Sequence, residues 1–128
     1  MLGVSDRLTV LIVDDEELIR ILVDTYFRSL GYRVVCAVDG EDCLEQIRLI
    51  PPDVVLLDVT LPGIDGWEVC RRIRESSSVP IIMLSARAQV SDRQQGLAAG
   101  ANAYITKPFL LRELDRSIRE LVRRSPAA

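Results

Sequence analysis

Apolar and polar positions along this chain switch repeatedly between short continuous runs and helical stripes, and that alternation predicts the elements. Leu8 to Val13 (LTVLIV) is an apolar, β-rich run that ends in Asp14-Asp15-Glu16-Glu17. Leu18, Ile19, Leu22, Val23, Tyr26, Phe27 and Leu30 then recur at helical spacing, and Gly31 stops the pattern as a C-cap does. Tyr32 to Val38 predicts a second strand. Gly40 to Ile50 predicts a helix with Leu44, Ile47 and Ile50 turned inward, ended by Pro51. Asp53 to Leu57 is the third strand, and its run Val54, Val55, Leu56, Leu57 reads as buried on both faces. Gly66 to Glu75 predicts a helix with Val69, Cys70 and Ile73 facing in, followed by a Ser76-Ser77-Ser78 loop. Ile81 to Leu84 is a fourth strand, Val90 to Ala99 a weakly amphipathic helix ending at Gly100, and Ala103 to Ile105 a fifth strand. Leu111, Leu114, Ile118 and Leu121 mark the last helix.

Five strands alternating with five helices across short loops specify an α/β fold, a doubly wound parallel sheet with right-handed crossovers. Five strands suit the flavodoxin-like order 2-1-3-4-5. The pattern contains no repeat and no low-complexity stretch, so residues 1–124 read as one domain and residues 125–128 as a tail or the start of a linker.

Composition narrows the function. With 128 residues, 48% hydrophobic and 27% charged, the chain can build a core without disulfides or metal staples. A net charge of −3 gives no reason to expect nucleic acid or a membrane surface as the partner. No apolar run reaches membrane-span length and the start MLGVSDR lacks a signal-peptide pattern, so a cytoplasmic location is expected. Cys36, Cys43 and Cys70 are scattered and odd in number, which reads as reduced small hydrophobes. The absence of histidine removes Ser-His-Asp and Cys-His nucleophile systems and every His-ligated metal site. One lysine, Lys107, stands against fifteen arginines. A compact ammonium kept at a single place is a candidate for chemistry.

Open α/β sheets bind ligands at the carboxyl ends of their strands. Asp14 and Asp15 stand at that end of the first strand, Asp58 at the third, Ser85 at the fourth and Lys107 just beyond the fifth. The second strand is an outer one and offers only Asp39. Three clustered carboxylates repel one another, and each pKa rises unless a cation neutralises them. A hard, oxygen-preferring ion such as Mg²⁺ answers that need; no thiolate or imidazole is at hand for a softer metal. A metal, an ammonium and a hydroxyl around one carboxylate are the parts for phosphoryl transfer to an aspartyl phosphate. Asp58, single on the central strand, is the candidate nucleophile.

These positions, with the LPGIDGW run after Asp58 and the GANAYITKPF run from Gly100, make the chain similar to the receiver domain of two-component response regulators over residues 7–122. The resemblance implies that Asp58 is the phosphoacceptor. It implies Asp15 and Asp58 as Mg²⁺ ligands, with Asp14 assisting through water and the Thr60 backbone carbonyl completing the set. Lys107 resembles the lysine that pairs with the phosphoryl oxygens, and Ser85 the hydroxyl that moves toward them. Tyr104 resembles the switch aromatic that turns inward as that hydroxyl moves. Thr60 and Arg87 stand at positions that tune acyl-phosphate hydrolysis, and the Lys107-Pro108 peptide is expected to be cis. The implied partners are a sensor histidine kinase or a phosphotransfer protein, with a possible homodimer through the last strand and last two helices. The implied catalysis is of the chain's own phosphorylation and dephosphorylation, without turnover of a small molecule.

Three other readings compete. A Mg²⁺-dependent phosphatase or phosphotransferase of the haloacid dehalogenase kind also forms an aspartyl phosphate, but it wants a second Asp where Thr60 stands. A ligand-gated, degenerate receiver would have lost an acid or the lysine, and none is lost. A flavodoxin-type cofactor binder needs a Gly- or Ser/Thr-rich phosphate loop that no strand here opens into.

Overall fold

The computed structural model describes residues 8–124. The segment 125–128, expected to be a tail or linker start, lies outside the described residues. In chain order the elements are β1 (Thr9–Val13), α1 (Glu17–Ser29), β2 (Arg33–Ala37), α2 (Gly40–Leu49), β3 (Val54–Asp58), α3 (Gly66–Arg74), β4 (Ile81–Ser85), α4 (Val90–Ala98), β5 (Ala103–Thr106) and α5 (Leu111–Arg124). All pairings are parallel, in the order β2-β1-β3-β4-β5.

The three inner strands, β1, β3 and β4, are buried along their whole length, which is why their sequences read as unbroken apolar runs. Side chains alternate across the sheet and divide the core in two. Leu11, Val13, Val55, Leu57, Ile81 and Met83 face one way and pack with Cys43, Val69, Cys70 and Ile73 from α2 and α3. Val10, Ile12, Val54, Leu56, Ile82 and Leu84 face the other way, against Val23 and Phe27 of α1 and Leu114 and Ile118 of α5.

Gly31 ends α1 as its sequence position suggests. With φ +97° it lets its amide reach the Arg28 carbonyl at 3.0 Å and the Tyr32 amide reach the Phe27 carbonyl at 3.1 Å. Gly66 answers a need for space. A Cβ there would lie 2.3 Å from the Asp58 carbonyl oxygen and 2.7 Å from Val59 Cα, so only glycine lets α3 start against the end of β3.

Two helix faces differ from the expected ones. Ile50 is not inward: α2 stops at Leu49, Ile50 leaves the helical conformation (φ −136°, ψ 90°), and its side chain is half exposed. Leu18 and Leu22 continue the α1 stripe but stay exposed, beside an equally exposed Ile21, because the stripe is wider than the sheet face it covers.

Candidate functional site

Parallel register brings the chemistry together. Val13 pairs with Leu57, so Asp14 and Asp58, the next residue on each strand, emerge side by side; Asp58 in turn pairs with Leu84, one residue before Ser85. Asp58 and Ser85 are the last residues of β3 and β4, slightly inside the ends the sequence pattern gave them. Asp14, Asp58 and Ser85 are buried and Asp15 is exposed. Asp14, Asp15 and Asp58 each offer one carboxylate oxygen, and the three oxygens lie within 4.8 Å of one another.

Lys107 enters this cluster from beyond β5. Its Nζ donates to Asp14 Oδ2 at 2.9 Å and lies 3.6 Å from Asp58 Oδ2 and 3.7 Å from Glu16 Oε1. Its main-chain amide donates to the Ser85 carbonyl at 2.7 Å, which fixes where the side chain starts. The Lys107–Pro108 peptide is cis. Asp14 is held from three directions: Lys107 on Oδ2, the Glu16 amide on Oδ1 at 2.9 Å, and Arg20 Nη1 on its carbonyl at 2.6 Å. Asp58 Oδ1 accepts one contact, from the Thr60 amide at 3.2 Å.

The charges do not balance. Burial pushes the Asp58 carboxyl up to about 6, and the neighbouring Asp14 charge adds to the rise; Lys107 and the Thr60 amide oppose it, and Asp15 adds a little more. Burial works against the Lys107 ammonium, yet its hydrogen bond to Asp14 and the charges of Asp58, Asp14 and Glu16 hold its pKa above the usual lysine value. One ammonium thus serves several carboxylates, and the site remains short of positive charge. The donor set is all oxygen, closely spaced and open to solvent at Asp15. These residues fit a hard divalent cation.

Ser85 and Tyr104 form a second layer, linked through one residue. The Ser85 hydroxyl accepts from the Arg87 amide at 2.9 Å, and the Tyr104 hydroxyl donates to the Arg87 carbonyl at 2.8 Å. The Tyr104 ring already lies inside, 7% exposed, with the Arg93 guanidinium 5.4 Å from its centroid and Arg93 Nη1 on its carbonyl at 3.1 Å. Ser85 Oγ therefore faces its own loop, while Asp14, Asp15, Asp58 and Lys107 form the compact charged group. Thr60 is exposed and touches Asp58 through its amide.

Three contacts escape sequence reasoning. Glu16 reaches toward Lys107, although the acids after Asp15 read equally well as first-turn residues favoured by the helix dipole. Arg20 caps the Asp14 carbonyl from within α1. Trp67 carries the Arg87 guanidinium 5.2 Å from its ring centroid. None of these contacts follows from the spacing of apolar positions, so none leaves a periodic signal.

Comparison with known proteins identifies the family. The family model described as the response regulator receiver domain matches residues 10–119. A "Probable transcriptional regulator ycf27" of Guillardia theta is 49% identical over 119 residues, which is 93% of this chain and 47% of that protein. A namesake in Cyanophora paradoxa is 47% identical over 116 residues, 91% of this chain and 48% of that protein. The chain thus spans about half the length of the curated relatives it matches. Among solved structures, a putative response regulator from Chloroflexus aurantiacus is 38% identical with a TM-score of 0.87, covering 93% of this chain and all of that one. The strand order is shared with such neighbours. The chain belongs to the response regulator receiver domain family.

Proposed function

We propose that this receiver takes a phosphoryl group onto Asp58 from the phosphohistidine of a sensor histidine kinase or phosphotransfer protein. The observation that carries the proposal is the closure of three carboxylate oxygens to within 4.8 Å beside the chain's single lysine. Asp15 and Asp58 would hold Mg²⁺ directly, with Asp14 through water and the Thr60 carbonyl as a further ligand. When bound, the ion neutralises the carboxylates and the oxygens of the transferring group. An Asp58 carboxylate oxygen attacks phosphorus, a P–O bond forms, the P–N bond to the donor imidazole breaks, and its electron pair stays on the imidazole. Lys107, 3.6 Å from Asp58 Oδ2, is placed to meet the oxygens of the incoming group. Water later cleaves the acyl phosphate, so the chain catalyses its own phosphorylation and dephosphorylation and turns over no small molecule. Thr60 and Arg87, at the mouth, tune that hydrolysis.

A groove of about 660 Å³ runs beside Glu16 and Lys107, lined by Ile19, Leu22, Pro108, Phe109 and Leu110. Its apolar rim at the entrance to the site suits the helical surface that presents the donor histidine. Phosphorylation adds roughly −1.5 to −2 charge. The new oxygens draw Ser85 Oγ from the Arg87 amide, and the vacated space favours the inward position of Tyr104, the one seen here, over an outward one. The face of α4, β5 and α5 then changes its preference for a partner or a second copy. A receiver domain of Klebsiella pneumoniae RstA, 30% identical with a TM-score of 0.86 over 91% of this chain and 99% of that one, is known in a BeF3-activated state.

Among the described residues no helix is long and apolar enough to cross a membrane. A cytoplasmic location follows from the proposed partner. Residues 1–124 would be the receiver domain, followed in a longer protein by an output region, as the names of the half-matched relatives as transcriptional regulators suggest. Incubation with Mg²⁺ and acetyl phosphate, read on a phosphate-affinity gel, tests the proposal. One retarded species is expected, absent in Asp58→Asn and in chelator. Retardation that survives Asp58→Asn would overturn it.

A further inference from the structure

Arg20 lies in the first turns of α1, half-buried, and its guanidinium reaches back past the start of the helix: Nη1 donates to the main-chain carbonyl of Asp14 at 2.6 Å. An arginine on a helix flanked by acids four residues before and after it is ordinarily a surface ion-pair partner. Here Glu16 leans toward Lys107 and Asp24 pairs with Arg28, while Arg20 is spent on a neutral carbonyl.

Asp14 is the first residue past β1, and its amide still donates to the Ala37 carbonyl of the neighbouring strand at 3.2 Å. With the amide held by β2 and the carbonyl held by Arg20, the peptide plane that joins Asp14 to Asp15 is fixed in one orientation. That orientation matters most for Asp15. The Asp14 carboxylate is buried and held on both oxygens, by the Glu16 amide and by Lys107. The Asp15 carboxylate is exposed and, among the described residues, has neither a hydrogen bond nor an ion pair. Where it stands follows from the direction in which the main chain enters residue 15.

We propose that Arg20 is a positioning residue for the metal site: by holding the Asp14 carbonyl it aims the Asp15 carboxylate at the oxygens of Asp14 and Asp58, so that the three converge on one cation. The inference rests on the reading of Asp14, Asp15 and Asp58 as the Mg²⁺ site, and it adds the residue that pre-forms it. α1 is seated on the sheet through Val23 and Phe27, so the guanidinium works from a fixed base. A bystander role and a positioning role differ in sign. As a plain counter-charge, Arg20 competes with an incoming cation, and its removal strengthens Mg²⁺ binding. As a positioning residue outside the ligand set, its removal weakens Mg²⁺ binding.

Calorimetric titration of metal-free protein with Mg²⁺ is the test, with a urea melt of each metal-free variant beside it. Arg20→Met keeps most of the stem and removes the donor. It should bind Mg²⁺ about 10-fold more weakly than wild type, the low end for loss of a partner outside the ligands themselves. Arg20→Lys keeps the charge on a shorter reach and should fall between them. Arg28→Met is the control. Arg28 also belongs to α1 and also donates to a main-chain carbonyl, that of Val34 at 3.2 Å, near the start of β2 and so at the far end of the sheet from Asp14. Its loss removes the same charge and a similar tie between helix and strand, and should leave Mg²⁺ affinity unchanged. Affinity that is unchanged or raised in Arg20→Met, or lowered as much in Arg28→Met, overturns the inference whatever the melts show. Should Arg20→Met fail to fold, Arg20→Lys decides alone, and an affinity equal to wild type overturns the inference. A wild type that binds no Mg²⁺ removes the reading of the metal site and this inference together.

Discussion

Lys107 Nζ donates to Asp14 at 2.9 Å and stands 3.6 Å from Asp58. The lysine is thus anchored on one carboxylate and stands near the other, where the proposed phosphoryl group would arrive. Replacing it with methionine should separate two effects. Removing a cation that competes for the carboxylates should raise Mg²⁺ affinity, measured by calorimetric titration. Removing the charge that meets the phosphoryl oxygens should slow uptake from acetyl phosphate by about 100-fold. Lys107→Arg should not restore the rate, because the planar guanidinium is larger and cannot take the ammonium's place. A near-normal rate in either variant would contradict this division of labour.

Asp58 gives the pH dependence. Its folded-state pKa, about 6, is raised above the ordinary aspartate value of 3.8 by burial first and by Asp14 second. The protonated carboxyl therefore contributes stability that is fully present below 3.8 and lost as pH rises through about 6. In metal-free protein at pH 7.5, Asp58→Asn should be more stable than wild type by about 1–2 kcal/mol. That advantage should shrink toward pH 5, as followed by urea melts at each pH. Mg²⁺ affinity has the opposite dependence, falling as pH drops through about 6, since the proton and the metal compete for the same oxygens. An Asp58→Asn protein less stable than wild type at pH 7.5 would show that the buried charge of Asp58 is not a net cost to the fold.

Gly66 tests how tightly the fold and site are joined. An added methyl would meet the Asp58 carbonyl oxygen at 2.3 Å and Val59 Cα at 2.7 Å, both backbone, so relief must come from moving α3 or the end of β3. Gly66→Ala should destabilise by about 2 kcal/mol or more. It should also reduce Mg²⁺ affinity, because the displaced strand end carries Asp58. Gly63, with φ +76° and open space around it, should respond to alanine through backbone strain alone, sparing the metal site.

Tyr104 is bonded through its hydroxyl to Arg87 and packed under α4. Tyr104→Phe keeps the ring and removes one hydrogen bond, a loss of about 1 kcal/mol. Tyr104→Ala should leave phosphoryl uptake by Asp58 intact and abolish the phosphorylation-dependent change in self-association, measured by multi-angle light scattering with and without beryllofluoride. A variant that still switches fully would remove the aromatic from the mechanism.

Most of the fold was legible because buried parallel strands leave unbroken apolar runs, and the residues at their ends follow from the runs. The runs alone therefore place Asp14, Asp58, Ser85 and Lys107 at one end of the sheet. Ile50 was misplaced because periodicity does not reveal that α2 unwinds one residue earlier. The exposure of Leu18 and Leu22 was hidden for a related reason: spacing shows that residues share a helix face but not how much of that face the sheet covers. Inside the site, residue types indicated a charge imbalance, whereas the pairing of Lys107 with Asp14 and the Trp67–Arg87 stack depend on side-chain reach in three dimensions.

The most direct test of the central claim locates the phosphoryl group on the chain. Borohydride reduces an acyl phosphate of aspartate to homoserine, and tandem mass spectrometry reads the position. After Mg²⁺ and acetyl phosphate, homoserine is predicted at residue 58 and at no other aspartate. Homoserine at 14 or 15 with Asp58 unmodified, or none anywhere despite bound Mg²⁺, would contradict the assignment of Asp58 as the phosphoacceptor.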